Sequence, residues 1–85
     1  MEQNANQLED WINQFGDYLY SWAHFRLSDD HLAKDLVQDT FLAAIQSFAH
    51  FEGRSSIKTW LTSILNNKIR DHFRKQKNRN FSLED

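Results

Sequence analysis

The sequence predicts an all-α protein, a compact bundle of three main helices, on three observations. Apolar residues recur at spacings of three and four through most of the chain, the period of one buried stripe per helix. There is no Pro and only two Gly, Gly16 and Gly53, so long helices can run uninterrupted. The intervening breaks are short and carry Ser, Asp and Gly, residues that cap and turn. At 85 residues the chain makes one domain at most, with a modest core. Trp11, Trp22, Trp60 and seven Phe can supply large buried areas at few positions.

The first helix is expected from about Asn6 to Arg26, with Leu8, Trp11, Ile12, Phe15, Leu19, Trp22 and Ala23 on its buried stripe. Gly16 inside it costs about 1 kcal/mol relative to Ala, and close approach of a neighbouring helix is the expected reason. Leu27-Ser28-Asp29-Asp30 is the break. Ser28 is read as the N-cap of the next helix, and Asp29 and Asp30 favour the positive end of its dipole. The second helix runs to about Phe48 and buries Leu32, Leu36, Val37, Phe41, Ala44, Ile45 and Phe48. Its opposite side carries Asp35, Gln38, Asp39 and Leu42. Ala49 to Ser55 is a loop with Gly53 as its flexible point. Ser55 or Ser56 caps the third helix, which is expected to run to about Lys75. Ile57, Trp60, Leu61, Ile64, Leu65 and Ile69 face inward. The other side is a narrow stripe of Thr59, Ser63, Asn66, Asn67, Arg70 and Arg74. The domain is thus expected over residues 6–75. Residues 76–85 are expected to be a frayed polar tail or the start of a linker.

Charge is distributed unevenly. Residues 1–52 hold nine acids and two bases, whereas residues 53–80 hold eight bases and one acid, Asp71. The net charge of −2 hides this dipole, which points to a polyanionic partner. Arg and Lys neutralise phosphates and release counterions. Asn can pair with a base edge, and hydroxyls can take phosphate oxygens. On pattern alone the third-helix stripe is equally a solvated face whose C-terminal cations match the helix dipole. Two adjacent Asn in mid-helix are poor for helicity, which favours a functional reason for them.

The ordered motifs Asp35-Leu36-Val37-Gln38-Asp39-Thr40-Phe41, Phe51-Glu52-Gly53-Arg54, Thr59-Trp60-Leu61, Ile64-Leu65-Asn66-Asn67 and Asp71-His72-Phe73-Arg74 resemble region 2 of the sigma-70 family, in its extracytoplasmic-function (ECF) group. The resemblance covers roughly Phe15 to Lys75. It implies a bacterial, cytoplasmic transcription initiation factor whose region 2 is a helical bundle with two working surfaces. One docks on the coiled-coil clamp helices of the β′ subunit of core RNA polymerase. By position these residues are Asp35, Gln38, Asp39 and Leu42, an acidic, amide-bearing patch suited to a basic partner helix. The other engages the non-template strand of the promoter −10 element and helps open the duplex. The candidates are Arg54, Ser55, Ser56, Lys58, Thr59, Ser63, Asn66, Asn67, Arg70 and Arg74. Asn67 matches the family Asn of the −10-reading helix and, with the Gly53–Ser56 loop, is the candidate for holding a flipped base. Asn66 beside it leaves open which amide reads. Asp71 is assigned to support of Arg74 or Lys75 through a helical pair, Trp60 to packing, and Phe51 to packing under the loop or to stacking on an unpaired base. The resemblance also implies an anti-sigma factor as a partner, and a second domain reading the −35 element. Nothing after Lys75 matches that domain's helix-turn-helix, so a fragment or truncated form is expected.

Other function classes find no support. The chain lacks Cys, which is compatible with a reducing, intracellular compartment, and His24, His31, His50 and His72 have no metal-like spacing. No Gly-rich phosphate loop or nucleophile–base pair is present. The reading is therefore no enzyme, no cofactor, no metal and no small-molecule substrate. No apolar run approaches the ~20 residues of a membrane span, and the polar start MEQNANQLED argues against a signal peptide. The alternative function is a protein-interaction module whose aromatic surfaces bind a regulator such as an anti-sigma factor.

Overall fold

The apolar stripes close into a bundle in which each of three helices packs on the other two. The computed structural model describes the backbone of residues 2–84 and the side chains of residues 6–77. In order along the chain, α1 spans Glu2–Leu27 and α2 spans Asp30–Ser47. A single 3₁₀ turn follows at Phe48–His50, and α3 spans Ile57–Glu84. No strand occurs among the described residues, so the all-α expectation holds. The core is Trp11, Leu19, Ala23, Ala33, Val37, Phe41, Ala44, Leu61, Leu65 and Ile69. Leu19, Leu61 and Leu65 are fully buried, and truncating such a side chain to Ala typically costs about 2–5 kcal/mol.

Trp11 organises the α1–α3 end of this core. Its ring meets Phe48 edge-on at 5.2 Å and Trp60 edge-on at 5.8 Å. Phe51 lies against Trp60 at 4.6 Å and against Phe48 at 5.9 Å. Trp60 is therefore a packing residue, as expected, and of the two roles open for Phe51 these contacts show packing. Pairs of this geometry add about 0.5–1.5 kcal/mol each beyond burial. The cluster also anchors the loop that leads from the 3₁₀ turn into α3.

The helix junctions differ from the expectation in one respect. Ser28 is not the N-cap of α2. Its backbone lies in the left-handed region, at φ 54°, and its N–H donates to the His24 carbonyl at 2.8 Å. It is thus the terminating residue of α1, the position that Gly usually occupies. The cap is Asp29, whose carboxylate accepts the Leu32 N–H at 3.0 Å. With only two residues between α1 and α2, one must end the first helix and the other start the second. Asp is the better acceptor for the start. At α3 the open choice resolves to Ser56, whose hydroxyl accepts the Thr59 N–H at 3.1 Å. Gly53 has φ 72°, the left-handed conformation that makes the loop turn.

Four further expectations change. Gly16 does not admit a neighbouring helix: a Cβ there would meet only Ile12 Cγ2, at an ordinary 3.8 Å. Ile12, assigned to the buried stripe, is 47% exposed. Ala33 and Thr40 are buried although neither was expected in the core. Thr40 is accommodated because its hydroxyl donates to the Leu36 carbonyl at 2.8 Å. Helix bounds are also wider than the apolar pattern implied. The backbone of α3 stays helical through Glu84, past the expected end at Lys75, because nothing there breaks a helix. The expected tail of residues 76–85 lies partly outside the described residues, namely Asp85 and the side chains of 78–85.

Candidate functional site

Two faces of the bundle carry the predicted residues. On α2, Asp35, Gln38, Asp39 and Leu42 are all exposed. Asp35 and Asp39 form no ion pair among the described residues. Gln38 and Leu42 also line an open groove of about 590 Å³ between α1 and α2, where Leu8, Ile12 and Gly16 face Val37 and Phe41. Leu42 and Ile12 are each about half exposed, at 48% and 47%. They give the groove an apolar centre. Asp17 and Lys34 are the charged groups that line it. The α1 wall of this groove, Ile12 and Gly16 in particular, was missed because both residues were assigned to helix packing.

The second set lies on and just before α3. Thr59, Ser63, Asn67, Arg70 and Arg74 are exposed, as are Arg54, Ser55, Ser56 and Lys58 before and at the helix start. Asn66 is half-buried. Its side-chain oxygen accepts the Trp22 indole N–H at 2.8 Å. The two adjacent amides are therefore not equivalent: Asn66 ties α3 to α1, while Asn67 faces solvent and accepts from the Arg70 guanidinium. Arg74 pairs with Asp71 one turn earlier, the supporting role expected for that acid. Arg54 pairs with Glu52 at 2.9 Å. The hydroxyl of Ser56 is committed to its cap and to Thr59.

These residues fall into neighbouring concavities. Lys58, Thr59, Thr62, Ser63 and Asn66, with Tyr18 of α1, line one of about 460 Å³. Ser63, Asn66, Asn67, Ile69, Arg70 and Phe73, with Arg26 of α1, line a second of about 650 Å³. Asn67, Arg70, Asp71 and Arg74 line a third. Arg54 and Ser55 line a separate one with His50, Phe51, Glu52 and Trp60. The loop and Asn67 thus do not share a cavity. Eleven residues of helix separate Ser56 from Asn67, about 16 Å.

The α1 wall of the second face was also missed. Lys58 Nζ lies over the Tyr18 ring at 4.2 Å, and the Arg26 guanidinium lies over the Trp22 ring at 3.7 Å. The sequence pattern placed Trp22 on the buried stripe and gave Arg26 no role. A cation one turn after an aromatic residue is the signal that was available. Among the described residues no cluster of His, Cys, Asp or Glu could hold a metal ion, and no helix is long and apolar enough to cross a membrane.

Fold and surface together define a three-helix bundle with an exposed acidic patch on α2 and an exposed basic, amide-rich stripe on α3. The chain belongs to the sigma-70 family, as a region 2 domain of the ECF type. The family model for sigma-70 region 2 matches residues 11–79. The chain is 41% identical over 73 residues to a protein of Haemophilus influenzae described as a probable RNA polymerase sigma factor, covering 86% of this chain and 37% of that protein. It is 38% identical over 76 residues to the ECF RNA polymerase sigma factor SigX of Bacillus subtilis, covering 89% and 38% respectively. It is 37% identical over 76 residues to the ECF RNA polymerase sigma factor SigC of Mycobacterium tuberculosis, covering 89% and 40%. The chain therefore spans about two fifths of the length of these relatives. No solved structure matches it.

Proposed function

We propose that this chain is a transcription initiation domain that docks on core RNA polymerase through α2 and captures the non-template strand of the promoter −10 element through α3. The observation that carries this reading is the separation of two faces of opposite character on a region 2 domain. Asp35, Gln38, Asp39 and Leu42 offer unpaired carboxylates, an amide and an apolar contact to the basic coiled coil of the β′ clamp. Lys58, Arg70 and Arg74 track phosphates, with Thr59 and Ser63 as hydroxyl donors, and Asn67 reads a base edge. The Gly53–Ser56 loop, including Arg54 and Ser55, meets the strand about 16 Å away. Binding is non-catalytic. A surface that fits the unpaired strand shifts the duplex toward its open state, and extruding a base costs a few kcal/mol that edge hydrogen bonds and stacking offset.

Docking is tested by binding of the chain to core RNA polymerase, wild type against Asp35→Ala with Gln38→Ala. Loss of binding in the folded double variant is the expected result. Failure of the folded wild type to bind would sink the polymerase reading. One observation favours a second reading: the half-exposed Ile12 and Leu42 give the α1–α2 groove an apolar centre that a regulator such as an anti-sigma factor could cover. That contact would resist salt, whereas nucleic-acid binding falls steeply with it.

A further inference from the structure

The proposed function assigns DNA contact to α3 and the loop alone. The seam between α3 and α1 carries more. Two of its concavities share Ser63 and Asn66 and so adjoin, and their combined lining on α3 runs from Lys58 to Phe73. Fifteen residues of helix make this about 22 Å long. No Asp or Glu lines either part. The ion pairs among the described residues lie elsewhere, at Lys34–Asp30, Arg54–Glu52 and Arg74–Asp71. The three cations on the seam, Lys58, Arg26 and Arg70, have no carboxylate partner among the described residues. Two of them are held against aromatic faces of α1 instead.

Arg26 is the most strongly positioned. Its guanidinium stacks on Trp22 at 3.7 Å and donates to the Trp22 carbonyl at 3.1 Å. Trp22 is in turn fixed by its indole N–H bond to Asn66. This chain of contacts sets a guanidinium on the α1 wall facing Arg70 across the groove, with Phe73, 46% exposed, at its C-terminal end. Two opposed guanidiniums with an aromatic face nearby suit a phosphodiester whose base stacks on the ring.

We propose that the α1–α3 seam is a two-walled channel for single-stranded DNA, and that Arg26 is its phosphate contact from α1. This rests on the DNA-binding reading above and adds an element to it. The test is fluorescence anisotropy of a labelled, mixed-sequence single-stranded DNA oligonucleotide with the full 85-residue chain across a salt series. Arg26→Ala, Arg26→Lys and Arg70→Ala are compared with wild type after circular dichroism shows that each is folded. Arg26→Ala is expected to weaken binding roughly tenfold, the scale of one charge-assisted hydrogen bond. It should also lower the slope of log K against log salt by about 0.7, one phosphate's share for a single strand. Arg26→Lys, which keeps the charge but not the flat stack, should fall between. Binding weakened by Arg70→Ala but not by Arg26→Ala overturns the channel and leaves the DNA reading standing. Weaker binding in Arg26→Ala with an unchanged salt slope means the residue acts only through Trp22 and Asn66, and also overturns it. No binding by wild type, or no effect of either alanine variant, overturns both.

Discussion

Asn66 and Asn67 are neighbours in sequence with opposite surroundings. The Trp22 indole donates to Asn66, and truncation there leaves a half-buried N–H without its acceptor. Losing such a bond typically costs about 1–3 kcal/mol. Asn67 is exposed and touches only the Arg70 guanidinium through its oxygen. Asn67→Ala is therefore expected to leave the melting temperature within a degree or two of wild type and to abolish preference for a matched over a scrambled −10 strand. Asn66→Ala should lower the melting temperature by several degrees and keep the preference. Thermal melts and competition binding check both arms. The stripe holding these residues was legible from helical phase, since both fall on the polar side of α3. Their division of labour was not, because it depends on where the Trp22 ring of another helix lands. The same limit hid Arg26, whose role comes from a partner helix and not from its own neighbours in sequence.

At the scale of the element, α1 shows what periodicity can and cannot settle. Leu19 and Ala23 are fully buried, as the stripe predicts, and Trp11 is nearly so. Ile12, one position along, lies at the stripe's margin and faces the α1–α2 groove. Gly16 sits one turn further on the same wall. No helix approaches it closely enough to need a missing side chain. Gly16→Ala is thus expected to stabilise the chain by about 1 kcal/mol, the difference in helix propensity, as read by denaturant unfolding. A methyl on that wall also narrows the groove, so weaker polymerase binding alongside higher stability would assign Gly16 to the docking face. The junctions were legible as junctions. The residue that caps α2 was not, because Ser28 and Asp29 are both good caps by type. Only the left-handed turn at Ser28 decides between them.

Across the whole molecule, charge shapes the surface and contributes little to the fold. The three ion pairs among the described residues link residues no more than four apart and lie on exposed side chains, so each contributes at most about 1 kcal/mol. Contacts between helices are mainly apolar and aromatic. Stability is therefore expected to change little between low and high salt, with the melting temperature moving only a few degrees. Strand binding should behave otherwise. If Lys58, Arg26 and Arg70 each neutralise one phosphate, a tenfold rise in salt weakens binding about a hundredfold. Melting curves and anisotropy titrations in the same buffers separate the two. A chain that lost both together would owe its fold to its charges. The bundle and its core were readable from apolar spacing, and the charge dipole from a count of residues. The groove between α1 and α3 required the packed structure.

The contact between Trp22 and Asn66 gives the molecule a built-in optical reporter. Trp11 is 2% exposed and stands edge-on to Trp60 within the aromatic core. Trp11 is shielded from events on the α3 surface, whereas the half-buried Trp60 lines the concavity of Arg54 and Ser55. Trp22 has a guanidinium on its ring, a hydrogen-bonded N–H, and a place on the seam where a strand is proposed to lie. Its emission depends on the guanidinium and on the water around it. The unlabelled chain can thus signal occupancy of the seam by a change at Trp22 while Trp11 reports that the core is intact.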